Sequence, residues 1–231
     1  MNKEFVSIIM SIHKNNSFLD KAIKSILDQT HKNFEFLIVQ DGPQDDGLSS
    51  ILKEFAQKDK RIALYKNEQR LGLTKSLNIL IDKSNSNFIY RQDGDDISRK
   101  ERLEYQLRFL NEKSLDACFT QAKTIQSGKV LHKKASLLPL RLLIKIKNPF
   151  IHGTMLIKKD VMEDVGYYDE NFYYSQDYKL YIDLLEAGKK LKQLNKVLYE
   201  LNTEDNISTN HKKEQRYYAN CARRNKKPAN K

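Results

Sequence analysis

This chain has no cysteine cluster, no glycine-rich phosphate loop, no long apolar run and no proline-rich linker, and each lack removes a class of protein. Its two cysteines, Cys118 and Cys221, stand far apart with no C-x-x-C spacing, so neither a disulfide framework nor a zinc site is expected and both read as free thiols. There is no G-x-G-x-x-G and no G-x-x-x-x-G-K-[ST], which argues against a dinucleotide-binding fold and a P-loop NTPase. The longest apolar stretches, such as Val6 to Ile12, fall well short of the roughly 20 residues that span a bilayer, and this first one is too short for a signal peptide. The expectation is a cytosolic protein. No internal repeat or low-complexity segment precedes the last residues of the chain.

What is present is an ordinary apolar content, 39% of 231 residues, enough for one large domain or two small ones around a sizeable core. The formal charge of +11 is unevenly placed. From Lys212 onward Lys212, Lys213, Arg216, Arg223, Arg224, Lys226, Lys227 and Lys231 face a single acid, Glu214. Such a tail can meet an anionic membrane surface at about 1 kcal/mol per basic residue, or nucleic acid through its phosphates. It reads equally as a solvated, frayed terminus.

Phe5 to Ile12 is a short, mostly apolar run rich in β-branched residues, the pattern of a central strand covered on both faces. Leu19, Ala22, Ile23, Ile26 and Leu27 then recur at helical spacing behind Asn16 or Ser17 as a cap. Phe34 to Val39 is a second strand, ending at the turn Asp41-Gly42-Pro43, and Leu48, Ile51, Leu52 and Phe55 a second helix. Ile62 to Tyr65, Leu71 to Ile81 and Phe88 to Arg91 continue the alternation. Strand and helix joined by short connections predict a parallel, doubly wound α/β sheet. The second half alternates less regularly: a helix from about Arg99 to Lys113, strands at Ala117 to Ile125 and His152 to Lys158, and a helix over Ser175 to Ala187. Between them the basic, apolar stretch Leu137 to Ile146 reads either as core packing or as an amphipathic contact with membrane or a lipid-linked substrate.

The strand Phe88 to Arg91 empties into Asp93, Asp95 and Asp96. Three such carboxylates repel one another at neutral pH unless a cation sits among them. Mg²⁺ or Mn²⁺ suits them, since both take oxygen ligands and keep room for substrate phosphates. Asp41 also follows a strand directly, so two acidic turns are expected at the carboxyl ends of the strands, where ligands of such sheets gather.

Taken in order, these landmarks resemble the family 2 inverting glycosyltransferases. The opening strand Val6-Ser-Ile-Ile-Met-Ser-Ile-His13, the helix end Ser25-Ile-Leu-Asp-Gln-Thr30, the strand Phe34-Glu-Phe-Leu-Ile-Val-Gln-Asp-Gly-Pro43, and Leu71-Gly-Leu-Thr-Lys-Ser-Leu-Asn78 carry the first part of the likeness. Arg91-Gln-Asp-Gly-Asp-Asp-Ile-Ser98 is similar to the family's Asp-x-Asp-Asp signature; Asn148-Pro-Phe-Ile-His-Gly-Thr154, Val165-Gly-Tyr-Tyr-Asp-Glu-Asn-Phe172 and Gln176-Asp177 match its second half. The resemblance covers about residues 5 to 190. It implies a GT-A fold, a mainly parallel twisted sheet flanked by helices, over residues 1–205. Residues 1–110 would form the nucleotide-sugar half, 111–205 the acceptor half and 206–231 a basic C-terminal tail.

The resemblance also implies roles. Asp41 would accept a hydrogen bond from the uracil or ribose, Asp93 would contact the ribose or the metal's water shell, and Asp95 would ligate Mn²⁺ or Mg²⁺ directly. Asp96 would orient the donor sugar, or simply cap a helix. Asp177 would be the general base for the acceptor hydroxyl, with a helix cap as the plain alternative. Arg70, Lys75 and Arg91 are candidates to offset phosphate charge, or surface cations; His152 could reach donor or acceptor, or be structural. Tyr173 and Tyr174 suit sugar stacking or packing. The sequence departs from the pattern at Ser11, where the family has Pro, at His13, where an aromatic ring often stacks on uracil, and at Gln176, which replaces a Glu.

The expected function is therefore transfer of a sugar, with inversion, from a nucleotide sugar, UDP-linked, to a glycan or lipid-linked acceptor in bacterial surface-polysaccharide synthesis. No nucleic-acid partner is implied, and the basic tail is a candidate peripheral contact with the inner face of an anionic membrane. A sugar-phosphate nucleotidyltransferase also uses an α/β sheet and metal-binding Asp, but normally has a Gly-rich basic loop after its first strand, lacking here. A non-catalytic nucleotide or nucleic-acid binding module stands as a third reading.

Overall fold

Successive apolar residues along the first strands face opposite sides of one sheet, and helices cover both. A computed structural model describes residues 4–43, 47–131, 139–204 and 211–229. β1 (Val6–Ile12), α1 (Leu19–Leu27), β2 (Phe34–Asp41), α2 (Leu48–Lys58), β3 (Ile62–Asn67), α3 (Leu73–Lys83) and β4 (Phe88–Arg91) alternate as the periodicity predicts. After them come β5 (Ile97–Ser98), α4 (Arg102–Glu112), β6 (Ala117–Thr124), β7 (Val130–Leu131), α5 (Leu140–Leu143), β8 (Leu156–Lys158), α6 (Lys159–Asp164), α7 (Gln176–Glu186), β9 (Leu191–Leu201) and α8 (Lys212–Arg223).

Among the described residues nine strands make one sheet, ordered β3-β2-β1-β4-β8-β6-β9-β5 with β7 added to β6. β3, β2, β1 and β4 are parallel neighbours. β8 then runs antiparallel to both β4 and β6, and β9 parallel to β6, so the second half of the sheet is mixed. Val6, Ile8 and Met10 of β1, with Phe36 and Ile38 of β2, pack under α1, α2 and α4; Ile9, Leu37 and Val39 point to the other face, with α3, α6 and α7. Burial on both faces is why these strands read as continuous apolar runs. On the second face Phe119 and Phe150 stack at 3.8 Å between centroids, with Tyr181 edge-on at 5.0 Å from Phe119.

Local chemistry sets the element ends. The Asn16 side chain accepts the Phe18 N–H at 2.9 Å and closes the turn that starts α1. Asp41 captures the N–H groups of Leu71 and Gly72, and Gly72 has φ +84°, so α3 begins at Leu73 rather than at Leu71 as its apolar pattern suggests.

Two expectations are corrected. His152 to Lys158 is not all strand: His152–Thr154 is a 3₁₀ turn, closed by the Ile151 carbonyl, which accepts both the N–H and the hydroxyl of Thr154. The basic C-terminal stretch is not simply frayed, because Lys212–Arg223 forms α8, with Ala222 buried and Tyr218, Ala219 and Cys221 packed on the core. Of the stretch Leu137 to Ile146, residues 137–138 lie outside the described residues; the rest holds α5, with Leu143 and Ile144 buried. Among the described residues no helix is long and apolar enough to cross a membrane.

The second half is tied to the first by Arg102, which is fully buried. Its Nε donates to Gln106 Oε1 at 2.9 Å, Nη1 to Ser98 Oγ at 2.8 Å and Gln92 Oε1 at 3.3 Å, and Nη2 to the carbonyls of Gly153 at 2.8 Å and Arg91 at 3.0 Å. The guanidinium also lies 4.1 Å from the Tyr90 ring centroid and 4.7 Å from that of Tyr199. All five donors are thereby used, which offsets the cost of burying a cation. Arg102→Met leaves several buried acceptors without partners, so we expect a loss of about 3 kcal/mol or more in urea unfolding; a change near zero would show that the web is not structural.

Candidate active site

Parallel strands deliver their carboxyl ends to one edge, and β2, β1 and β4 lie side by side there. Asp41 ends β2 and is buried. Its Oδ1 accepts from Leu71 N at 2.8 Å and Asn67 Nδ2 at 2.9 Å, and its Oδ2 from Gly72 N at 2.9 Å. Asn67 also donates to Ser76 Oγ at 3.0 Å, so Asp41 holds the β3–α3 loop in place. A carboxylate offers about four lone-pair sites, which leaves acceptor capacity on Oδ2 for a ligand donor. Ser11 and His13, at and just after the end of β1, are half-buried beside it.

The second acidic turn follows β4. Arg91 is wholly buried, not a surface cation; its Nη2 meets Asp93 Oδ1 at 2.5 Å and its Nη1 the Gln92 carbonyl. The Tyr199 hydroxyl, brought from β9, accepts the Asp93 N–H at 3.2 Å and also bonds Asp96. Asp96 caps no helix: it is buried and its Oδ1 accepts the Asn202 N–H at 2.7 Å. Burial, then the charges of Asp93 and Asp95, push the Asp96 carboxyl well above its usual range. Asp95, half-buried, is pushed up to about 6 by burial and by Asp93.

Among the described residues Asp95 forms no ion pair, and the Arg91 charge offsets its shift only in part, so a divalent cation would relieve the rest. Among the described residues no three His, Cys, Asp or Glu side chains converge as a complete cage. The donor set fits an ion held by a single carboxylate or a pair, with its remaining oxygens from water and a bound diphosphate.

Asp177 stands in the first turn of α7, behind Ser175, which takes a left-handed φ of 54° at the helix start. Its Oδ2 accepts Asn148 Nδ2 at 2.6 Å and its carboxylate also takes backbone N–H groups of the first turn, while the N-cap position itself is Ser175. Burial raises its pKa most, Asn148 opposes the shift, and the Asp93 charge adds to it, which puts the two acidic elements in one electrostatic field. His152 faces Tyr168 Oη through Nε2 at 2.7 Å, and burial together with the Arg91 charge holds its pKa well below the usual value, so it is a neutral imidazole. Arg70 is exposed and passes over Gly42, where an added Cβ would lie 3.3 Å from Arg70 Cβ. Lys75 is exposed on α3. The Tyr173 ring covers Gly72 on the loop that Asp41 holds. A broad cleft of about 990 Å³ opens elsewhere, between α3 and α7, but Asp82, Asp169, Glu170 and Asp183 line it, which does not suit a diphosphate.

Tyr199, Asn202, Arg102 and Gly153 are site residues that the sequence did not single out. They come from β9 and the residue after it, α4 and the 3₁₀ turn, and of the four only Gly153 falls in a stretch, Asn148 to Thr154, that the sequence marks. Gly153 is the most constrained: a Cβ there would overlap the Tyr199 hydroxyl and come within 2.7 Å of Asp93 Oδ2. We expect Gly153→Ala to cost about 1–3 kcal/mol of stability through overpacking. A melting temperature equal to the parent's would show that Tyr199 and Asp93 give way freely.

A model of glycosyl transferase family 2 matches residues 7–180. An uncharacterized glycosyltransferase of Methanocaldococcus jannaschii is 30% identical over 226 residues, 94% of this chain and 78% of the relative. The O-antigen biosynthesis glycosyltransferase WbnJ of Escherichia coli is 30% identical over 193 residues, 82% of this chain and 75% of WbnJ. Among solved structures, S. aureus TarS 1-349 in complex with UDP-GlcNAc has a TM-score of 0.75 at 18% identity, covering 89% of this chain and 60% of that one. The mannosyltransferase PcManGT from Pyrobaculum calidifontis, in complex with GDP-Man and Mn2+, has a TM-score of 0.73 at 14% identity, covering 92% and 61%. The chain spans about three fifths of these two solved chains, and the likeness to them is one of fold. With the family model matching most of the chain and two relatives at 30% identity, this protein belongs to glycosyl transferase family 2.

Proposed function

We propose that this glycosyltransferase moves a sugar from a nucleotide sugar, UDP-linked, to a hydroxyl of a glycan or lipid-linked saccharide, with inversion, in the building of a surface polysaccharide. The observation that carries the reading is that one short segment reaches both acidic elements, which come from distant parts of the chain: Asn148 Nδ2 donates to Asp177 Oδ2 at 2.6 Å, and a Cβ on Gly153 would come within 2.7 Å of Asp93 Oδ2. The family match supports it, and so do relatives named for O-antigen and amylovoran biosynthesis. UDP and UDP-GlcNAc bound to TarS favour a uridine donor. Nothing in the comparisons speaks for a nucleotidyltransferase or a non-catalytic binding module.

The nucleotide would lie against the β1–β2 edge, where Asp41 offers Oδ2 and the fixed β3–α3 loop, with Ser11, His13 and Arg70 around it. Asp95 would hold Mn²⁺ or Mg²⁺, supported by Asp93 and Asn202; such an ion supplies Lewis-acid stabilisation of the departing diphosphate. Arg91 acts from below, fixing Asp93 rather than touching phosphate. Asp177, oriented by Asn148, takes the proton of the acceptor hydroxyl as it attacks from the opposite face. His152, neutral and bonded to Tyr168, is placed to donate or accept a hydrogen bond without adding charge. Asp96, held high by burial, positions Asn202 and Tyr199 behind the turn.

Two substitutions separate these roles. Asp177→Asn is expected to keep donor binding and to lower the transfer rate by about 100-fold or more, as loss of a general base does; undiminished transfer would remove Asp177 from that role. Asp95→Asn is expected to abolish the strengthening of donor binding by Mn²⁺ in calorimetry, and an unchanged metal response would place the ion elsewhere. The pH profile follows from the raised Asp177 pKa. The base works deprotonated, so the rate falls as pH drops, and it does so above the ordinary carboxylate range. An acid limb at or below that range would contradict the assignment.

A further inference from the structure

Two segments far apart in sequence form one basic, apolar-tipped surface beside Asp177. In 139–147 the exposed side chains are Pro139, Arg141, Leu142, Lys145, Ile146 and Lys147, while Leu143 and Ile144 are buried. Leu142 and Ile146 stand one helical turn apart, 60% and 66% exposed, two of the few large apolar side chains that the described residues leave in water. Arg223, at the end of α8, donates through Nη1 to the Ile146 carbonyl at 2.6 Å, which joins the second segment to the first. Arg224, Lys226 and Lys227 follow it, all exposed. They are held close to α8: Lys226 N donates to the Cys221 carbonyl at 3.0 Å and Ala229 N to the Tyr217 hydroxyl at 2.8 Å. In 139–147 and 211–229 the single acid is Glu214.

We propose that this surface docks on an anionic lipid bilayer, with Leu142 and Ile146 entering the headgroup region and Arg141, Lys145, Lys147, Arg223 and the cations after it meeting lipid phosphates. Charge complementarity selects an anionic partner. The two apolar side chains select a bilayer over nucleic acid, because a phosphate backbone gains nothing from them, whereas a membrane interface gains from apolar insertion and cationic contact together. The contact is thus made by α5 and the end of α8 as one patch, not by a loose tail. Lys147 is followed directly by Asn148, which bonds Asp177, and the Tyr178 hydroxyl donates to the Ile144 carbonyl. Docking would set the acceptor side of the site at the lipid surface, a consequence that rests on the transferase reading; the docking itself does not.

Co-sedimentation of the full chain with vesicles, without donor or acceptor, tests it independently of transfer. Binding is expected to phosphatidylglycerol-containing vesicles and not to phosphatidylcholine alone, and to weaken at about 0.5 M salt. Leu142→Ser with Ile146→Ser is expected to weaken binding about tenfold or more, as is Arg141→Glu with Lys145→Glu. Lys53→Glu with Lys113→Glu, the same charge change on α2 and after α4, should bind like the parent. The chain has no tryptophan, so Leu142→Trp, which keeps every cation, gives a single reporter whose emission should shift to the blue on anionic vesicles. The proposal fails if the parent does not sediment, if the Lys53 and Lys113 control loses as much, or if the Leu142→Trp emission does not move. It also fails if a DNA duplex binds as tightly, with no dependence on Leu142 and Ile146.

Discussion

The site depends on a cation placed under an anion. Arg91 is buried at the end of β4 and bonded to Asp93, and without it three aspartates within four residues would stand on one turn with no fixed positive charge. Truncating one partner of a buried pair costs far more than the pair contributes, because the charge left behind has no solvent. Arg102 completes the floor by holding the Arg91 and Gly153 carbonyls. Asp93, tied to Arg91, and Asp95 are then the carboxylates of the turn left partly exposed to a ligand, with Asp96 buried behind them.

This arrangement explains why two parts of the chain that share no local pattern meet. The parallel strands β2 and β4 bring Asp41 and the Asp93–Asp96 turn to one edge. The mixed half of the sheet brings Tyr199 and Asn202 against that turn, and Asn148 holds Asp177 at the start of α7. Asp95, raised by burial and by Asp93 yet still partly exposed, is the candidate for a metal ion, whereas Asp96 is buried behind it. A leaving diphosphate would supply both the remaining oxygens and the second reason for that ion to be there.

Much of the first half was legible in the sequence because its strands are buried on both faces and its helices carry one apolar stripe; β4 begins and ends where its residues predict. β9 was missed because Lys192, Asn195 and Lys196 interrupt its apolar residues: Lys192 is exposed, and Asn195 and Lys196 lie in a bulge where the pairing with β6 passes from Leu194 to Val197. α8 was read as a tail because charge dominates its composition, and the few residues that seat it, Tyr218, Ala219, Cys221 and Ala222, make no long pattern. Asp41 and Asp95 could be picked out because they follow strand ends, where ligands of such sheets gather, and Asp177 only because Gln176-Asp177 resembles the family's pattern. Arg91 was visible only as a positive residue near phosphate-binding acids; its burial, and the part played by Arg102, Gly153 and Tyr199, are properties of the packed molecule.

The central claim, that Asp95 and a donor diphosphate share one divalent ion, is tested most directly by anomalous scattering at the manganese edge from crystals grown with Mn²⁺ and a UDP-sugar. The account predicts a single strong peak between the Asp95 carboxylate and the diphosphate, with Asp177 facing the sugar from the other side. A peak away from Asp95, or an ordered donor with no metal beside that carboxylate, would contradict it.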